Sequence, residues 1–138
     1  MAARDVYHKA VKEALIKDQW SITNDPLLLQ VGGVDMYVDL GAERLLAAEK
    51  DHQQIAGEIK SFLGPSLIND FHLALEQFLN YRLALAAQDP QRRLYLAVPI
   101  ETYLTFFTIP FIQSAVQQYQ LALMIYNSQL QEVVQWIN

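Results

Sequence analysis

Asp39, Glu58 and Lys60 are the residues of this chain whose types and spacing point to chemistry. Nineteen positions separate the aspartate from the glutamate, and Glu58-Ile59-Lys60 follows the run Gln54-Ile55-Ala56-Gly57. In a strand over residues 54–61 successive side chains alternate, so Glu58 and Lys60 share one face and Ile55, Gly57, Ile59 and Ser61 the other. The polar pair is therefore expected to project together, away from the core. Burying two charges beside apolar residues is costly unless they pair with each other or serve a metal. Hydrolysis of a phosphodiester needs an activated water, neutralised nonbridging oxygens and help for the leaving oxygen, and bound Mg²⁺ or Mn²⁺ supplies all three. Such hard ions take oxygen ligands, commonly one or two carboxylates with several waters. Asp39 and Glu58 are the candidate metal ligands, and Lys60 is the candidate to orient the water or to stabilise charge building on the phosphorus. The bland alternative makes Glu58 and Lys60 a structural ion pair and Asp39 a turn residue before Leu40-Gly41.

The elements that must position these groups belong to a chain of 138 residues, which suits one domain spanning 1–138. With 52% apolar and 18% charged residues, the composition is that of a globular protein. There is no cysteine, hence no disulfide and no thiolate chemistry, which suits a reducing cytoplasm. No apolar run approaches the roughly 20 residues that span a bilayer, and Met1-Ala2-Ala3-Arg4-Asp5 has no signal-peptide character, so a cytoplasmic protein without a membrane partner is expected. A net charge of −5 argues against nonspecific coating of nucleic acid, which draws on Lys and Arg. It leaves a nuclease open, because a carboxylate site changes its local field once a divalent ion binds.

Val6, Ala10, Val11, Ala14 and Leu15 recur at helical spacing and predict an amphipathic helix over residues 4–18. Trp20-Ser21-Ile22-Thr23 predicts a strand that stops at Asn24-Asp25-Pro26, and extended structure resumes after Gly32-Gly33 at residues 36–40. Residues 44–49 and 54–62 are expected to form a hairpin across Lys50-Asp51-His52-Gln53. Ser66 is a helix cap for a long helix to about residue 87, ended by Gln88-Asp89-Pro90. A buried strand at 93–98, two helical pieces over 101–118 divided by Pro110, and strands at 121–126 and 132–137 complete the order. The two long crossovers allow parallel neighbours, so the fold class is α/β, a mixed central sheet flanked by helices.

With Asp39 ahead of an E-x-K strand and a helix after it, the chain resembles the PD-(D/E)XK nuclease superfamily. In several members the following helix carries a Gln and a Tyr four residues apart, matched here by Gln77 and Tyr81, which share one helix face. Asp70 extends that polar stripe. The chain is also similar over essentially its whole length to the XisH family of cyanobacterial element-excision controlling factors. The matching stretches are Tyr7-His8 with Ala10-Val11-Lys12, Ile22-Thr23 with Asp25-Pro26, residues 35–43, Glu58-Ile59-Lys60-Ser61-Phe62, and Val134-Gln135-Trp136-Ile137. The resemblance implies a restriction-endonuclease-like fold and a DNA-directed role beside a site-specific recombinase, with XisI-type companions. Gly57 departs from the apolar residue usual in such strands.

Related nucleases often add a helical Glu, which makes Glu13 a candidate additional ligand beside its reading as a solvated face with Lys9 and Lys17. Arg4, His8 and Lys12 form a basic stripe that reads as phosphate-facing or as plain solvated surface. His8, His52 and His72 lack convergent metal spacing, and Trp20 and Trp136 read as core or interface residues. Tyr103, Phe106, Phe107 and Phe111 crowd the region of Pro110, either as core or as an interface for a homo-oligomer or partner. Two functions from different classes therefore stand side by side: a Mg²⁺- or Mn²⁺-dependent endodeoxyribonuclease, and a noncatalytic scaffold that binds a recombinase or an XisI-type protein.

Overall fold

Helical spacing of small apolar residues builds the first element, α1 (Ala3–Lys17), in which Ala10, Val11, Ala14 and Leu15 are all buried. It ends in a backbone cap: Gln19 adopts φ 72°, its N–H donates to Ile16 O at 3.0 Å, and the Trp20 N–H donates to Leu15 O at 2.9 Å. That pattern satisfies carbonyls the last turn leaves open, and glycine usually takes the left-handed position. The computed structural model describes residues 3–36 and 45–138; Asp39 and Glu43 lie outside the described residues.

Among the described residues six strands form one sheet: β1 (Ser21–Asn24), β4 (Leu45–Lys50), β5 (Gln53–Ile59), β6 (Arg92–Pro99), β7 (Leu123–Asn127) and β8 (Glu132–Ile137), in the order β1-β4-β5-β6-β7-β8. A separate hairpin, β2 (Leu29–Val31) with β3 (Val34–Met36), turns through Gly32 and Gly33 at φ +59° and +82°. Both positive values suit the two-residue turn that matches strand twist, and glycine adopts them without a Cβ penalty. Extended structure thus resumes at Val34, earlier than the expected residue 36.

The expected hairpin is present, since β4 and β5 pair antiparallel from Leu45↔Glu58 to Lys50↔Gln53. Its two-residue turn places Asp51 and His52 at φ 49° and 68°, values that Asp and His tolerate better than most residues. β5, β6 and β7 run parallel, joined first by α2 (Leu67–Gln88) and then by α3 (Ile100–Thr105) and α4 (Pro110–Gln118). The Ser66 hydroxyl caps α2, accepting from the Asn69 N–H at 3.3 Å. Pro110 begins α4, where its missing N–H costs nothing, and so separates the two helices as its position predicts.

Helices cover both faces of the sheet. On one side Phe71 and Phe78 of α2, Ile112 and Ala115 of α4, and Leu27 and Leu29 beside the hairpin pack on Ala56, Leu96 and Ile125. On the other, Ala10 and Leu15 of α1 pack on Ile55, Ile59 and Met124. The aromatic crowd near Pro110 divides: Phe106 and Phe107 are buried with their rings 5.8 Å from that of Phe71, whereas Phe111 remains 67% exposed. β5 is therefore a doubly covered central strand, and its side chains from Ile55 to Ile59 lie inside the molecule.

Candidate active site

β5 stops at Ile59, so Lys60 stands just beyond the strand, earlier than the expected boundary at residue 61. Glu58 is 2% exposed and Lys60 7%, with Ser61 also buried. The pair does not project away from the core: both side chains are buried, and α2 covers the face of β5 that carries Glu58. Ile55 and Ile59 belong to the α1-side core and Ala56 to the α2-side core, which by strand alternation puts Glu58 on the α2 side. Electrostatics bear this out. The Tyr81 phenol of α2 is pushed up to about 12, first by burial and second by the Glu58 charge. Gln77 lies one turn before Tyr81 on the same helix, half-buried.

Glu58 sits in register with Leu45 of β4 on one side and Leu96 of β6 on the other, at the carboxyl end of a parallel pair. That end is where open α/β sheets commonly receive ligands. Asp39 lies outside the described residues, and six positions of sequence separate it from Leu45, the register partner of Glu58. Glu13 is half-buried on α1, which packs on the opposite face, so the sheet stands between it and Glu58. Among the described residues no three His, Asp or Glu side chains gather as a metal cluster. A buried carboxylate at a strand end is nonetheless the hard oxygen donor that Mg²⁺ or Mn²⁺ takes.

Two other expectations about polar residues resolve structurally. The Asp70 carboxylate, placed by its spacing on the Gln77–Tyr81 stripe, instead accepts from the Gly64 N–H at 2.9 Å and ties down the chain entering α2. Two members of the basic stripe on α1 are paired within the protein: His8 Nε2 and Lys12 Nζ lie 3.0 and 2.9 Å from the Asp25 carboxylate. Burial alone would raise the Asp25 carboxyl, but hydrogen bonds from Lys12 and His8 and their charges outweigh it and hold the group below its usual value.

The family model described as XisH protein matches residues 1–134, a span that includes every candidate site residue from Glu13 to Tyr81. The chain belongs to the XisH family. It is similar to the crystal structure of an XisH family protein from Nostoc punctiforme PCC 73102, at 48% identity and a TM-score of 0.91, covering 97% of this chain and 100% of that one. It is likewise similar to the crystal structure of a fdxN element excision controlling factor protein from Anabaena variabilis, at 47% identity and a TM-score of 0.90, covering 97% and 99%. No curated protein matches the chain. No helix among the described residues is long and apolar enough to cross a membrane.

One feature of this XisH chain escaped the sequence. Trp20, Tyr95 and Trp136 come together with Lys50 and Arg93 around a cleft on the α1 side. They derive from three strands, β4, β6 and β8, and from the connection between α1 and β1, so no spacing announces them; the only signal was two tryptophans in a chain of 138 residues.

Proposed function

We propose that this chain acts on DNA in the excision of a genetic element, through a PD-(D/E)XK-type site in a restriction-endonuclease-like domain. The supporting observation is the burial of Glu58 and Lys60 at the carboxyl end of β5, with Tyr81 close enough to feel the Glu58 charge. Family membership and the likeness to an fdxN element excision controlling factor protein support the biological setting. In this reading Asp39 and Glu58 hold Mg²⁺ or Mn²⁺, which when bound supplies an activated water and neutralises the phosphate. Lys60 orients the nucleophile and its charge offsets that on the nonbridging oxygens. Tyr81, neutral at ordinary pH because its phenol titrates near 12, can donate a hydrogen bond but cannot act as base. Gln77, with both donor and acceptor, orients these groups or the substrate. A site-specific recombinase and an XisI-type protein are the proposed companions.

The test is cleavage of linear, nicked and branched DNA with either metal, comparing wild type with Lys60→Ala. Loss of about 100-fold in rate, the scale of one electrostatic group in a buried site, is expected. Cleavage that persists undiminished in the variant would sink the assignment.

A second reading, a noncatalytic scaffold, is favoured by one observation: Leu104, Ile109 and Phe111 are all exposed around the α3–α4 junction. Calorimetric titration with Mn²⁺ separates the two. Heat of binding in wild type that vanishes in Glu58→Gln supports the metal site, and no heat in either supports the scaffold.

A further inference from the structure

Where β5 and β6 begin, the chain folds around a cleft of about 720 Å³, a size within the range that holds small molecules. It is distinct from the Glu58 region. Its lining residue Gln54 precedes Glu58 by four positions, roughly 13 Å along a strand, and Ile55, Tyr95, Trp20 and Trp136 belong to the α1 side of the sheet rather than the α2 side.

One wall is aromatic, with the Trp136 ring 4.9 Å from Tyr95 and 5.7 Å from Trp20. Two cations stand over that wall, Arg93 at 5.6 Å from the Tyr95 ring and Lys50 at 5.8 Å from the Trp20 ring. They are not equivalent. Lys50 donates to Asp18 O at 2.7 Å and lies 3.8 Å from the Asp18 carboxylate, so its charge is already answered. Among the described residues Arg93 has no carboxylate within ion-pair distance, although its neighbour Arg92 is held by Asp89 at 2.9 Å. The carboxamides of Gln53 and Gln91 also line the opening, each offering a donor and an acceptor. The tight Asp51-His52 turn holds the rim.

We propose that this cleft binds a nucleotide unit, a nucleobase with its phosphate. Aromatic faces stack bases of any sequence. A carboxamide can pair with a base edge in two-point fashion, and a guanidinium matches phosphate geometry with two parallel hydrogen bonds. Each alternative leaves one part of the cleft unused: a neutral sugar would not engage Arg93, and inorganic phosphate would not need the aromatic wall. The unit is either free or the end of a single strand, and both present the same chemistry. This inference does not rest on the metal-site reading.

Both tryptophans of the chain line the cleft, so its occupancy is read by intrinsic tryptophan emission. The full-length protein, with a chelator present so that no divalent metal contributes, is titrated with dAMP, a 5′-phosphorylated oligo(dA), adenosine and inorganic phosphate. A saturable change with dAMP or the oligonucleotide is expected, with affinity weakened about tenfold for adenosine and in Arg93→Gln, the scale of one charge-assisted hydrogen bond. Response to dAMP identifies a free nucleotide, and response to the oligonucleotide alone identifies a strand end. No saturable change with any nucleotide, or equal affinity in Arg93→Gln with its far-ultraviolet circular dichroism unchanged, overturns the proposal. Loss of DNA cleavage in the Lys60→Ala experiment has no bearing on this outcome, since no metal is used.

Discussion

The Glu58 carboxylate of β5 acts electrostatically on the Tyr81 phenol of α2. Burial first, and the glutamate charge second, raise the phenol to about 12. Twenty-three positions separate the two residues in the chain. They come together because β5 leaves the sheet at Ile59, the chain is tied down at Gly64, and α2 then folds back over the same face of the sheet.

If the Glu58 charge contributes as stated, Glu58→Gln will bring one phenol to a lower titration midpoint, read from the phenolate absorbance of the folded protein. The sign for stability follows from a folded value above the unfolded 10.0: the contribution is whole below about pH 10 and is lost as pH rises towards 12. Tyr81→Phe should accordingly flatten the alkaline fall in stability, measured by urea unfolding across that window. An identical alkaline slope in wild type and variant would show that Tyr81 is not the group involved.

Asp25 joins the β1–β2 connection to α1 through His8 and Lys12. Asp25→Asn removes the charge from both contacts and should cost about 1 kcal/mol, a figure that allows for screening of part-exposed pairs. Its folded carboxyl titrates below the unfolded 3.8, so the stabilisation is present above that value and lost as pH falls through the folded one. Thermal unfolding at neutral pH and at about pH 3 should show the difference between wild type and Asp25→Asn shrinking in acid. A gap that widens in acid would contradict the assigned direction.

Gly64 is required by proximity rather than by backbone angle. A Cβ there would meet Asp70 Oδ1 at 2.5 Å and Oδ2 at 2.8 Å, where that carboxylate accepts the Gly64 N–H. Gly64→Ala should push the carboxylate out and destabilise the fold by about 1–3 kcal/mol, the cost of a charge-assisted hydrogen bond lost beside a helix start. Asp70→Ala should largely abolish the further effect of Gly64→Ala in a double-mutant cycle. Additive losses would mean that the two residues act separately.

Apart from the β2–β3 hairpin, which the sequence reading did not anticipate, the element order, the β4–β5 hairpin, the Ser66 cap, the break at Pro110 and the parallel run of β5, β6 and β7 were legible in the sequence, because periodicity, caps and crossover length are local properties. The type and order of the candidate site residues were legible for the same reason. Whether Glu58 and Lys60 faced solvent was not. Alternation put both on one face of an expected strand, but the strand ends at Ile59, and only tertiary packing, with α2 over the Glu58 face, made both residues interior. The helical spacing of Asp70, Gln77 and Tyr81 likewise suggested one polar stripe, yet Asp70 turned to the nearby Gly64 N–H while Tyr81 came under the influence of the Glu58 charge. The stripe His8 and Lys12 was visible as charge; its partner, Asp25, became a neighbour only when α1 packed beside β1. Short-range pattern thus determined which elements form and which residues could do chemistry. Tertiary structure decided which of those residues share a buried environment and which aromatic and cationic groups surround the cleft, because burial and electrostatic coupling depend on distances that chain separation does not encode.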